Sequence, residues 1–179
     1  DTPSSRGLGD VYKRQILNKQ NSNDFDKISK VLGYEPTDKL LIIHADDVGL
    51  CESVNSATFE SFKNESISSA AVMLNTREID EVANFSINNP NFDMGIHLTV
   101  TSEWKYHKWG GVLKNNDISS LLNSKNQLYW NKRKFTKNGK LNEIRKELQA
   151  QIDLGISMGF NPSHIDSHEG ALFFDPEIF

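Results

Sequence analysis

"KLLIIHADD", residues Lys39 to Asp47, sets four consecutive apolar residues between a lysine and a closing pair of carboxylates. A short apolar run bounded by polar residues is the pattern of a strand buried on both faces, as in a parallel sheet. An alternation of helix and strand then begins. "SVNSATFESFKNES" (Ser53 to Ser66) spaces Val54, Ala57 and Phe62 as a helix does, and "ISSAAVMLN" (Ile67 to Asn75) returns to a strand, completing a βαβ unit. A second helix in "EIDEVANFSINNP" closes at Asn89-Pro90, and "FDMGIHLTV" (Phe92 to Val100) reads as a third strand. Further on, "GKLNEIRKELQAQIDLGISMG" carries Leu141, Ile144, Leu148, Ile152 and Ile156 near helical spacing up to Gly159, and Pro162 opens the way to a fourth strand, "SHID". Upstream, "DFDKISKVLG" (Asp24 to Gly33) is a short amphipathic helix, with Asp24 as its cap and Gly33 as its stop. Four strands alternating with helices define an α/β fold. Residues 101–140 are polar, dotted with aromatics and without clear period; so long an excursion inside a domain marks a functional loop.

At 179 residues, 37% hydrophobic and 25% charged, the chain has material for one domain with a real core. A net charge of -4 argues against nucleic acid, whose phosphates demand a basic face, and favours a neutral or small substrate. Cys51 is the sole cysteine and permits no internal disulfide, which suits a cytoplasmic setting, a lost signal peptide remaining compatible with it. No apolar run approaches the roughly 18 residues of a membrane span. Assembly stays open between monomer and homodimer.

The start of the chain stands apart. "SRGLGDVYKRQ" (Ser5 to Gln15) looks like the translation of a transposase sequencing adapter, so Asp1 to Gln15 is set aside as non-native. This leaves a helix and linker over 16–38 and the α/β domain over 39–179.

Three of the four strands end in groups able to bind a metal: Asp46 and Asp47, then His97, then His164, Asp166 and His168. In parallel α/β folds the strand C-termini share one rim, where residues distant in sequence converge. Each group also has a plainer reading. The Asp pair could be a turn and helix cap, His97 a core histidine, and His44 either a core residue or a support to the site. Cys51 reads as a small packing residue in the first turn of a helix, and His107 as a surface or substrate contact. Together they weigh differently. His164, Asp166 and His168 at i, i+2 and i+4 share one face of an extended strand, which is costly to bury unpaired. Two imidazoles and a carboxylate suit Zn²⁺ or another divalent ion with positions left open for water.

In order and spacing, "HADDVGL", "AAVMLN", "GIHLTVTSEW" and "PSHIDSHEGALF" resemble the motifs of the YdjC-like carbohydrate deacetylases. The resemblance runs from Lys39 to Phe179. It implies a deformed (β/α) barrel and removal of an acetyl group from an N-acetylated sugar with one divalent ion, Mg or Zn. It also implies Asp47, His97 and His168 as metal ligands and Asp46 as catalytic base. Residue chemistry alone does not rank His168 above His164; only the resemblance does, leaving His164, Asp166 and His44 to support the ligands or touch substrate. Many members carry a histidine where this chain has Gly170, a difference expected to fall in the substrate pocket. Family members also continue well past "FDPEIF", so the barrel is expected to be incomplete at the C-terminal side, since four strands cannot close one.

Trp104, Tyr106 and Trp109 are candidates to stack on sugar rings or simply to pack the loop, and His164 is one candidate for the acid that protonates the leaving amine. Two rivals stand beside this reading. "HID" matches the His-x-Asp of non-haem iron oxygenases, although their second histidine lies far downstream on a β-sandwich. A sugar-binding or inert fragment of a deacetylase would keep the motifs without the activity.

Overall fold

The computed structural model describes residues 22–178, so the adapter-like Asp1 to Gln15 lies outside the described residues. The described residues fall into two compact units that divide between Leu41 and Ile42. In the first, helix α1 (Ser22–Val31) starts two residues before Asp24, which therefore lies inside the helix instead of capping it. Its end follows the expected glycine stop. Gly33 takes φ +83°, its N–H donates to Lys30 O at 3.1 Å and the Tyr34 N–H to Ser29 O at 2.8 Å, the paired bonds that close a helix on a left-handed residue.

The second unit runs β1 (His44–Val48), α2 (Glu52–Lys63), β2 (Ser69–Val72), α3 (Ile79–Asn88), β3 (Met94–Leu98), α4 (Lys132–Asn138), α5 (Leu141–Ser157) and β4 (Ile165–Ser167). The strands form an open parallel sheet in the order β1-β2-β3-β4, so the α/β class read from the sequence is the class of the structure. β1 is shorter than the apolar run suggested. Ladder contact with β2 begins where Ser68 N–H donates to Ile43 O at 2.7 Å, and Ile42 is 76% exposed, because β1 has a sheet neighbour on one side only. Among the described residues no helix is long and apolar enough to cross a membrane.

The sheet has two chemically distinct faces. Ala70, Val72, Met94, Ile96 and Leu98 turn toward the helices, packing with Phe62 of α2, Val82 and Ala83 of α3, Leu148 and Ile152 of α5, and Phe160. Strand alternation sends His44, Asp46, Ser69, His97 and Asp166 to the opposite face. A second apolar cluster sits past the strand ends, where Leu50, Met73 and Val100 meet Trp109, Ile118, Leu121, Leu128 and Phe135. The excursion is thus a folded piece that shares this core with the strand ends and carries a 3₁₀ turn at Ser119–Leu121 and α4, not an irregular loop. Its apolar residues bury as a cluster without repeating at a fixed interval, so periodicity could not reveal them.

Two helices bury polar residues where apolar ones were expected. On α2, Phe62 is buried, but Asn55 and Thr58 take the places foreseen for Val54 and Ala57. Asn55 Oδ1 accepts from Gly49 N–H at 2.8 Å, and its Nδ2 donates to Glu78 O at 3.0 Å and Glu81 Oε2 at 2.9 Å, tying the end of β1 to α3. On α5 the buried stripe includes Glu143, Glu147 and Gln151, while Leu141 and Ile156 are more than half exposed. Glu147 accepts the N–H groups of Val112 and Leu113 (2.7 and 3.1 Å) and the Gln151 amide (2.9 Å). Gln151 in turn brackets both backbone groups of Thr99. Burial is tolerated because every such group finds a partner.

Gly49 ends β1 with φ +95°, and a Cβ there would lie 3.0 Å from Thr76 Oγ1 and 3.2 Å from Met73 O. Gly49→Ala is therefore expected to cost about 1–3 kcal/mol of stability, read as a lowered urea midpoint.

Candidate metal centre

Period-two alternation would place the neighbours Asp46 and Asp47 on opposite faces of β1. The register with β2 shifts between Ala45 and Val48, and Asp47 takes φ +61°. This bulge turns Asp47 onto the polar face beside Asp46, the re-aiming that bulges provide near functional sites. There Asp47 Oδ1 lies 2.9 Å from His168 Nδ1 and 3.3 Å from His97 Nε2, and the two nitrogens are 3.3 Å apart.

His97 comes straight from β3. His168 does not come from an extended face as expected: β4 stops at Ser167, and His168 opens a 3₁₀ turn in which Glu169 (φ +52°) and Gly170 (φ +62°) are left-handed. Strained backbone at two of the three contributing segments is typical of functional sites.

The donor set fits a cation. Bonds of about 2.0–2.2 Å at ordinary coordination angles separate neighbouring donor atoms by roughly 3–3.5 Å, and the three measured edges span 2.9 to 3.3 Å. Each imidazole also has its far nitrogen held by a carboxylate: His97 Nδ1 by Asp166 Oδ1 at 2.5 Å, His168 Nε2 by Glu103 Oε2 at 2.9 Å. Such carboxylate partners orient metal-binding histidines.

The remaining candidates separate around this centre. His44 is half-buried, with Nδ1 2.7 Å from Ser69 Oγ and Nε2 3.4 Å from Asp46 and 3.3 Å from Asp166. His164 faces Ser163 Oγ (2.7 Å) and Asp93 (3.8 Å), resting on Gly95, where any Cβ would come within 2.5 Å of its ring. Trp104 is 50% exposed and Tyr106 more so, whereas Trp109 is buried, its indole N–H bonded to Thr101 O and its ring 5.9 Å from His168. Trp109 therefore packs the loop. His107 leans on Trp109, and Cys51, at the cap position before α2 instead of in its first turn, bonds Ser53 at 3.2 Å. Glu103 was not singled out from sequence; a lone carboxylate in an aperiodic loop carries no signal of where the loop folds.

Burial alone would push the His97 and His168 imidazoles down. Contact with Asp166 and Asp47 outweighs it for His97, leaving it at about 9, and contact with Asp47 and Glu103 does so for His168, at about 10. Burial raises the Asp47 carboxyl, yet its bonds to His168 and His97 hold it well below the usual carboxylate range. For both histidines the folded value lies above the unfolded 6.5. Their stabilising contribution is thus fully present below that value and lost as pH rises through 9 to 10. In chelator, urea midpoints are expected to fall over this alkaline range; a flat profile there would contradict the ion-paired arrangement.

Residues 40–179 match the family described as YdjC-like protein. The chain belongs to the YdjC-like family. Relatives of this YdjC-like chain include a chitooligosaccharide deacetylase of Yersinia enterocolitica, 35% identical over 148 residues, 79% of this chain and 53% of that protein. Another is a carbohydrate deacetylase of Clostridium beijerinckii, 30% identical over 72% of this chain and 49% of its own length. The crystal structure of a protein from Enterococcus faecalis V583 superposes with a TM-score of 0.70 at 26% identity, over 79% of this chain and 53% of that one. The chain spans about half the length of the curated relatives it matches.

Proposed function

We propose that this site hydrolyses the acetamido group of an N-acetylated sugar, releasing acetate, with one divalent ion held by Asp47, His97 and His168. The observation that carries it is the donor triangle with a carboxylate behind each imidazole. The deacetylase names of the relatives support the substrate class. A divalent ion supplies Lewis-acid polarisation and acidifies water.

The chain's own residues do the rest. Asp46, with 60% of its side chain exposed, meets solvent beside the centre and takes the proton of the attacking water. His44 Nε2 lies between Asp46 and Asp166, 3.4 and 3.3 Å from their oxygens and without a hydrogen bond to either. As the C–N bond breaks, the proton on Asp46 passes to the amine nitrogen, leaving acetate and a free amino sugar. His164 Nδ1 engages Ser163 and Asp93, while its Nε2 has no hydrogen-bond partner among the described residues. Trp104 offers an exposed aromatic face against which a sugar ring can stack.

Incubation with N-acetylglucosamine oligomers is expected to release acetate, to stop on addition of EDTA and to resume with Zn²⁺ or Mg²⁺. Oligomer binding without acetate, with cation bound, would instead favour the sugar-binding reading.

A further inference from the structure

We infer that Glu103 is a positioning residue for the cation site: its carboxylate fixes the tautomer and orientation of His168, so that Nδ1 faces Asp47 and His97. This rests on the proposed function's assignment of those three residues as ligands, and adds a residue from the excursion that no strand end supplies. The geometry is direct. His168 Nε2 lies 2.9 Å from Glu103 Oε2, and a carboxylate can only accept, so Nε2 carries a hydrogen toward Glu103; Nδ1 faces the Asp47 carboxylate, and a cation bound there would take the place of the proton shared by Nδ1 and Asp47 and meet the Nδ1 lone pair. That nitrogen is the one 2.9 Å from Asp47 Oδ1 and 3.3 Å from His97 Nε2. Asp166 does the same for His97 from within the sheet.

Glu103 is itself held in place. Ser102 N–H donates to Tyr129 O at 2.8 Å, the Ser102 hydroxyl accepts from Trp109 N–H at 3.2 Å, and Lys108 Nζ donates to Ser102 O. On the other side of His168, the left-handed Glu169 is pinned by the same excursion, with Thr101 Oγ1 donating to its carboxylate at 3.1 Å and Lys132 Nζ to its carbonyl at 2.8 Å. The excursion therefore grips the His168 turn at both its side chain and its backbone, and Glu103 is the contact that reaches a donor nitrogen.

The test titrates the chain with Co²⁺, whose visible absorption reports coordination, in wild type, Glu103→Ala and Glu103→Gln. Loss of an outer carboxylate partner weakens metal affinity by about 10–100-fold, the result expected for Glu103→Ala together with an altered cobalt spectrum. Glutamine keeps an oxygen acceptor for Nε2–H and is expected to recover most of the affinity and the wild-type spectrum. Equal affinity and spectra in wild type and Glu103→Ala overturn the inference alone, and so does a glutamine variant as weak as alanine. A wild-type chain that binds no Co²⁺ overturns it together with the ligand assignment on which it rests. Acetate release, measured separately, bears only on the proposed reaction.

Discussion

Asp46→Asn is expected to abolish most acetate release while leaving the cation bound. Proton transfer by a positioned side chain contributes about 100- to 10,000-fold to such reactions, and asparagine keeps the size of the side chain but cannot take a proton. The structure separates the two carboxylates despite their adjacency in sequence. Asp47 is turned by the bulge into contact with both histidines, whereas Asp46 remains largely exposed and pairs with His44. Cation affinity should therefore stay near wild type, followed by Co²⁺ absorption in the same preparation. Unchanged turnover in Asp46→Asn would remove this residue as base. Loss of the cation along with activity would mean that Asp46 is a ligand too.

Glu147→Leu is expected to be the most damaging substitution away from the centre. Its carboxylate is wholly buried and accepts from Val112 N–H, Leu113 N–H and the Gln151 amide. Leucine leaves the part-buried Val112 and Leu113 N–H groups without their acceptor, at about 1–3 kcal/mol for each, while the Gln151 amide keeps Thr99 O, so the loss is expected to cost at least about 2 kcal/mol. The damage should spread in a defined direction. Gln151 holds Thr99, next to the β3 rim, and Val112 and Leu113 anchor the excursion that carries Glu103. Urea unfolding would show the lost stability, and amide exchange should speed first in the excursion. A midpoint within error of wild type would mean that Glu147 is not the clamp between α5 and the loop.

How much of this was legible in the sequence depends on the kind of force at work. Apolar runs and helical spacing located β1 to β3 and the helices α2, α3 and α5, because burial against the helices obeys a period; β4 was read from Pro162 and "SHID", and α4 was not foreseen. Boundaries were less readable: Leu40 to Ile43 look like strand interior, yet β1 starts at His44, since its length depends on sheet neighbours and not on composition. The same applies to α5, whose inward stripe is partly Glu and Gln. Polar residues pass as surface until their backbone partners, 23 to 52 residues away, are known. At the centre, Asp47, His97 and His168 were named as a group through resemblance, and the structure brings them together. Spacing could not rank His168 over His164, because the turn at Glu169 and Gly170 decides which imidazole reaches Asp47. Glu103 and its loop were beyond reach for the same reason.

The shifted register at Asp47 makes chain length around the first aspartates as consequential as residue identity. A variant lacking one residue between His44 and Val48 would still contain both carboxylates, yet would send one of them to the helix-packed side, where nothing complements its charge. In this segment deletions are the dangerous mutations, and sequence comparison that tolerates a gap there would mistake a dead centre for a live one.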